Sequence, residues 1–475
     1  MNFQIHSILK YLACVATALL SACGGSTGDT VVAGINGGGL AITQGPIAGF
    51  GSIIVNGIRF DTTGAAITID GLAANEGALA TGLVVRVEGQ IDAGGQSGRA
   101  DRIVHESAVR GPVEALDPSL KRLTVLGQTV LVTNDTILSG FGSSGSLETV
   151  RAGDIVSVSG FVNAAGAIVA TRIASQTGAN LFEVSGRISA PDTNQRRFRI
   201  NALTIEYTNA VLEGFAGASP SAGQNVFIKG SGSLQGGVLN ATTVSLREPG
   251  VTAATGDTVD VTGLVTRFVS TSDFEVSGQR VTTSATTQYS GGTAQGIAVD
   301  AQLDVQGQRN AAGILVATRI GFLPVSNVMI EATLEGVNNA AGTLRLLGID
   351  VATNLLTRYD DDDARTFGFA DLRIGDPVQI AGFVQDGRLI ATRVSRDDDG
   401  GSEVEIEGPV TDLSAPAFRI GGVAITTDVQ TEFELEGPGS SDAAGFFATA
   451  AGRIAEVEGR WNGATVLADE IEIED

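Results

Sequence analysis

Few side chains in this chain have types and spacing that could do chemistry. Apart from His6 in the N-terminal segment, the one histidine is His105, between Val104 and Glu106. A catalytic or metal-bound imidazole needs partner groups, and no other histidine and no thiol pair supplies them, so His105 reads as a surface residue. Outside the Gly-rich segment after Cys23, no Gly-x-Ser-x-Gly pattern surrounds a serine, and no phosphate-binding glycine motif joins a strand to a helix. Asp360-Asp361-Asp362-Asp363 and Asp397-Asp398-Asp399 are oxygen-rich runs of the kind Ca²⁺ accepts. The first run is the candidate metal site. Its spacing is neither that of an EF-hand nor that of a nonapeptide repeat, and a solvated loop is the simpler reading. Carboxylates are plentiful, so a hydrolase using a paired-carboxylate mechanism on glycans is an alternative, although nothing singles out two of them. Trp461 is either an edge-packing aromatic or a ligand-stacking platform. No enzymatic activity is expected, and no cofactor beyond the candidate Ca²⁺.

The remaining reactive group is a thiol. Ile8 to Leu20 is an apolar run broken by Lys10, Tyr11 and Thr17, shorter than the ~20 residues of a bilayer span. Leu20-Ser21-Ala22-Cys23-Gly24 follows. Hydrophobic run, Leu20, small Ala22, Cys23 and Gly24 come in the order of a bacterial lipobox, which this segment resembles. That resemblance implies a signal peptide over 1–22, acylation (palmitate among the chains) at Cys23, and a chain held to a membrane by its N-terminal lipid. Gly24 in place of Asp implies, by the same resemblance, the outer membrane of a Gram-negative cell envelope. Cys14 lies inside the leader, so the mature chain has one cysteine and no internal disulfide. Residues 23–40 read as a Gly-rich tether.

These features sit on a strand-rich scaffold. Gly accounts for 64 of 475 residues, aromatics for 5% and charged residues for 17%, with a mean hydropathy of +0.20. This excludes a helical bundle and a chain disordered throughout. The net charge of −23 repels phosphate backbones, so no nucleic-acid partner is expected.

Three motifs recur in fixed order. The first is Ile53-Ile54-Val55-Asn56-Gly57, repeated as Leu123 to Gly127, Phe198 to Ala202, Phe274 to Gly278, Leu344 to Gly348 and Phe418 to Gly422. The second is Val85-Arg86-Val87-Glu88-Gly89, with counterparts ending at Gly160, Gly230, Gly307, Gly382 and Gly459. The third is a Gly-led strand such as Gly166 to Ile173. Each motif alternates apolar with polar residues, the period of a strand with one buried face, and a closing Gly permits a turn or bulge. The expected architecture is all-β: a tandem array of about six small five-stranded OB-like barrels, with small β-sandwich modules as the alternative. The modules span 41–108, 109–178, 179–250, 257–323, 328–396 and 402–475. Strand closure would remove sticky edges, and short polar linkers would leave the modules as beads on a string. A helical turn is expected to plug each barrel between its third and fourth strands, near Leu147 to Asp154 and Leu372 to Asp376.

Tandem Gly/Val modules behind a lipobox resemble a bacterial family of envelope lipoproteins whose repeat is a domain of unknown function. The resemblance spans about 41–475 and implies no activity. The expectation for function is a lipid-anchored binding or spacer array with a glycan or protein partner. Alternatives are the glycan hydrolase and a Ca-binding adhesin-like protein.

Overall fold

The computed structural model describes residues 39–474 apart from 51, 142–146, 178–180, 232–233, 235, 362–365, 397–403 and 436–441. The leader, Cys23 and the tether up to residue 38 lie outside the described residues, as do Asp362 and Asp363. The chain is nearly all β, with 58% strand and 4% helix.

Module 2 shows the common plan. Its strands are Val109–Asp117, Arg122–Val125, Gln128–Leu131, Ile155–Val162 and Ile168–Ser175. The first pairs with the second and the fourth, the second with the third, and the fifth with the fourth. The third runs parallel to the fifth. The order 1-2-3-5-4-1 closes a five-stranded barrel, and the other modules repeat it. Closure decides against the sandwich alternative. A sixth short strand, Ile137–Ser139 in module 2, adds in parallel to the far end of the fifth. Among the described residues, five modules place one helical element between this region and the fourth strand: Glu76–Ala78, Leu147–Thr149, Ala294–Gly296, Phe369–Asp371 and the longer Ala443–Thr449. A buried apolar residue follows each, namely Leu79, Val150, Ile297, Leu372 and Ala450. Module 3 uses the buried Phe215 instead.

The recurring glycines have two separate causes. In the hairpin between strands two and three, both central residues take positive φ, as in Asn56 (49°) and Gly57 (75°) or Ser277 (46°) and Gly278 (77°). This is the mirror-image turn that matches strand twist, and it favours Asn-Gly. In the fourth strand, the Gly sits at a bulge. The register shifts at Glu88/Gly89, Ser159/Gly160, Lys229/Gly230, Gln306/Gly307, Ala381/Gly382 and Glu458/Gly459. A Cβ on Gly89 would lie 2.1 Å from the Arg99 carbonyl oxygen, and one on Gly160 would lie 2.2 Å from that of Val169. Only Gly lets the barrel corner bend this tightly.

The modules are not beads on a string. They join in pairs through their first strands, giving three 13-stranded sheets. Modules 2 and 3 pair antiparallel (Val109 opposite Val184), as do modules 5 and 6 (Ile330 opposite Ile406). Module 1 pairs with module 4, and in parallel, from Ala41 opposite Thr258 to Gln44 opposite Val261. Modules 2 and 3 share one continuous core, and so do modules 5 and 6. Modules 1 and 4 keep separate cores, but Ile42 leaves that of module 1 and packs in that of module 4. The expectation failed because alternation along a strand shows that one face is buried, without showing what covers the other.

Candidate functional site: the outward faces along the seams

In OB-type barrels the face of strands two and three commonly binds ligands. Here most of its outward residues are polar or charged, with Ile54 and Leu131 among the apolar exceptions. Arg122 pairs with Asp117 at 3.4 Å, Arg197 with Glu206 at 2.5 Å, and Arg345 with Asp350 at 2.9 Å. The phenylalanines of the second strands, Phe198, Phe274 and Phe418, point inward and are at most 2% exposed. Among the described residues, this face offers no aromatic on which a base or sugar could stack.

The chemically unusual residues lie on the opposite face, formed by strands one, four and five and joined across each seam. Most of this surface is covered by other modules, and module 2 is the hub. Its Asp135 receives hydrogen bonds from Ser326 (2.9 Å), just ahead of module 5, and from Thr392 (2.6 Å) within it, and forms an ion pair with Arg358 at 3.1 Å. Its Thr171 donates to the Gly82 carbonyl of module 1 at 2.6 Å. Its Ser157 hydroxyl shares a 3.0 Å hydrogen bond with Ser107 of module 1, and Ser107 in turn donates to Asp70 through both its N–H and its hydroxyl. The Ala164 N–H of module 2 donates to Asp300 of module 4 at 2.8 Å.

Three carboxyl groups on these faces are held well above the ordinary range. Burial, then the neighbouring Asp304 carboxyl, raises fully buried Asp260. Burial and then Asp70 push Glu183 to about 8, against the pull of Arg110 and Lys229. Burial, then Glu456, Glu331, Glu458 and Glu407, push Glu405 to about 7.

The surroundings of Glu405 differ from the rest of this face. Strand pairing carries a row of glutamates across five strands: Glu331 opposite Glu405, Glu405 opposite Glu458, Glu458 opposite Glu470, and Glu470 beside Glu432. A second row runs from Glu407 through Glu456 and Glu472 to Glu434. Glu458, Glu472, Glu432 and Glu434 are exposed. Like charges directly opposite in a sheet oppose its formation by roughly 0.2–1 kcal/mol a pair. Lys121, from a turn of module 2, reaches one end and bonds both oxygens of Glu407 at 3.0 and 3.1 Å. Arg393 and Gln379 stand near Glu331 at the module 5 side. The equivalent face of module 5 carries Gln379, Ala381, Arg393 and Ser395 in the same register.

The residues singled out from sequence are dispersed. His105 is a correction: it is 2% exposed, and its Nδ1 lies 2.9 Å from the Val84 carbonyl oxygen. It is buried because it ends the fifth strand of module 1, Ser97–His105, on the same inward face as Ile103, which packs in the core of that module. Asp360 and Asp361 end a strand, and both face arginines. Asp360 lies 3.5 Å from Arg172 of module 2, and Asp361 pairs with Arg396, whose guanidinium stacks on Phe367. Among the described residues no group of three or more acidic, histidine or cysteine side chains could hold a metal ion. Trp461 ends the fourth strand of module 6. Its ring lies against the Leu347-Gly348 turn of module 5, where a Cβ on Gly348 would be 3.1 Å from its Cη2.

Sequence reasoning missed the glutamate rows. The signal was present as Glu-x-Glu in four strands of module 6: Glu405/Glu407, Glu432/Glu434, Glu456/Glu458 and Glu470/Glu472. Period-two spacing puts each pair on one face, but only the register aligns the four pairs.

The family described as "Domain of unknown function (DUF5666)" matches residues 41–104, 110–174, 262–321, 331–395 and 407–472. The chain belongs to that family. The matches cover modules 1, 2, 4, 5 and 6, and module 3 repeats the same strand order outside them. No curated protein matches the chain. A solved chain titled "drosophila Unr CSD456" is 12% identical and covers 46% of this chain and 98% of its own length, with a TM-score of 0.11. A score that low carries no weight for fold or function.

Proposed function

We propose that this chain is a lipid-anchored, non-catalytic binding scaffold of the cell envelope, tethered through Cys23, whose binding face is the glutamate-lined sheet of module 6. The carrying observation is the cross-strand register of Glu405, Glu458, Glu470 and Glu432 beside Glu472 and Glu434. This sheet works against its own like charges, and a cationic partner relieves that repulsion. The partner this face fits is a basic protein segment, for two reasons. The acidic rows span several strands, long enough for an extended chain to follow, and Lys121 of this chain already seats its ammonium on Glu407 at 3.0 Å. The acidic balance of the whole chain argues against nucleic acid.

The test uses a Lys/Arg-rich peptide titrated against the intact chain. Binding that weakens with salt and is lost in a Glu458→Gln/Glu470→Gln/Glu472→Gln variant supports the reading. Equal binding by that variant contradicts it. Cys23→Ala should remove the protein from the membrane fraction, and a variant that stays there contradicts the anchor. Calcium is a separate question. If Asp360–Asp363 bind it, millimolar Ca²⁺ raises Tm beyond a matched Mg²⁺ control, and equal Tm values exclude it.

A further inference from the structure

Module 1 covers two pairs of acidic side chains, Asp260 with Asp304, both of module 4, and Glu183 of module 3 with its own Asp70. At the seam with module 4, Asp260 lies in the first strand of module 4, directly beside Thr43 of module 1. Asp304 is its diagonal neighbour in the fourth strand, since Asp260 faces Gln306 and Thr262 faces Asp304. Asn56, from the tight turn of module 1, crosses the seam and donates to Asp260 Oδ1 at 2.7 Å. Thr262 donates to Asp304 at 3.0 Å, and Arg319 lies 3.8 Å from it. Both Asp260 and Thr43 are 0% exposed, and neither Asp260 Oδ2 nor Thr43 Oγ1 has a hydrogen-bond partner among the described residues. At the contact with module 3, Glu183 is 4% exposed and faces Asp70 of module 1. Lys229 of module 3 donates to the Asp70 carbonyl.

We propose that these two carboxyl pairs, Asp260 with Asp304 and Glu183 with Asp70, form a proton-dependent latch that keeps module 1 docked while each pair shares a proton and loosens it when both members ionise. Two carboxylates held close in a dry seam repel strongly, whereas one acid beside one carboxylate does not. Few cations oppose this. Arg319 is the cation that faces Asp260, and Arg110 and Lys229, each 3.9 Å away, face Glu183. On the other packed elements, the Arg86–Glu88 pair of module 1 is closed on itself at 3.0 Å, and the Arg247–Glu106 pair lies beyond Phe227. The module 2 strand against this seam, Ile155–Val162, brings no titratable side chain, and the module 5 strand Arg358–Asp361 brings Arg358, held by Asp135 at 3.1 Å, Asp360, held by Arg172, and Asp361, held by Arg396.

The sign follows from linkage. The docked state retains protons that a free carboxyl releases above about pH 4, so docking is strongest in acid. It weakens as pH rises, over a window that closes at about 8 for Glu183.

Hydrogen exchange on the intact chain at about pH 5.5 and 8.5, corrected for intrinsic rates, tests the latch. Protection of the strand Gly39–Gly49 should fall about tenfold or more at the higher pH, while the module 2 hairpin 122–131 keeps its protection. Asp260→Asn with Glu183→Gln, which mimics the protonated pairs, should abolish the drop. Unchanged protection in the wild type, or a drop that persists in the double variant, overturns the proposal. If Asp260→Asn does not fold, Glu183→Gln alone must shrink the drop, and a drop of full size overturns the proposal. A drop governed by Na⁺ or Ca²⁺ at constant pH also overturns it and assigns the seam to a cation.

Discussion

The seam between modules 1 and 4 and the seam between modules 5 and 6 are built from the same first strands, yet they use acids in opposite ways. In the first, Asp260 and Asp304 are sealed between modules, and Asn56 crosses to bond Asp260. In the second, glutamates in the same class of outward position continue onto an open sheet and repeat in register. The cores differ as well. Modules 5 and 6 share one apolar cluster, while modules 1 and 4 keep two, linked by Ile42. A shared core leaves cohesion to apolar burial and frees the outer face to carry charge. Two separate cores put more of the cohesion on the polar contacts of the seam.

The largest effect should separate the two core arrangements. Phe418 packs on Phe446 at 5.0 Å between ring centroids in module 6. Phe418→Ala should cost about 3–5 kcal/mol, and hydrogen exchange should show module 5 losing protection with module 6. Phe274→Ala in module 4 should cost a similar amount but leave most of module 1 protected. A local loss in both variants would break the comparison.

An intermediate effect comes from the turn that closes the seam of modules 1 and 4. A Cβ on Gly45 would lie 1.9 Å from Asn56 Oδ1, so Gly45→Ala should displace Asn56 from Asp260. Leaving that buried group without its partner should cost about 1–3 kcal/mol, read as a lower denaturation midpoint with an unchanged slope. No loss of stability would show that Asn56 is not a clamp.

The smallest effect has the opposite sign. Glu458→Gln should stabilise module 6, since it relieves pairs worth roughly 0.2–1 kcal/mol each. The gain should shrink at high salt. It should also depend on pH. Glu405 is raised to about 7 by burial first and then by its glutamate neighbours, so the folded face holds a proton that the unfolded chain loses above about pH 4. The wild type therefore loses stability as pH climbs through that window, and the variant loses less. Thermal melts from about pH 5 to 8 check both statements.

Most of one barrel is legible in the sequence. Alternating Val-x-Val and Phe-x-Val segments identify strands with one inward face, and the glycines at 57, 127, 278 and 348 mark tight turns. The fourth-strand glycines also have a readable cause, the bulge at which a Cβ would strike the next strand. The assembly of barrels is not legible. The string Thr43-Gln44 or Asp260-Val261 looks like any half-exposed strand, and nothing local says that module 1 pairs with module 4 across the two modules between them. His105 is a different case: alternation from Ile103 puts it on the inward face of its own barrel, and its polar type is what made it read as exposed. The glutamate rows are half visible: Glu-x-Glu spacing fixes the face, while the alignment of four strands depends on register.

Six barrels that share seams form one body, and small-angle scattering of the chain from residue 39 onward tests this most directly. A compact body of this length should give a radius of gyration of about 22 Å. A value of roughly 35 Å or more, as expected for six independent barrels in a row, would contradict it.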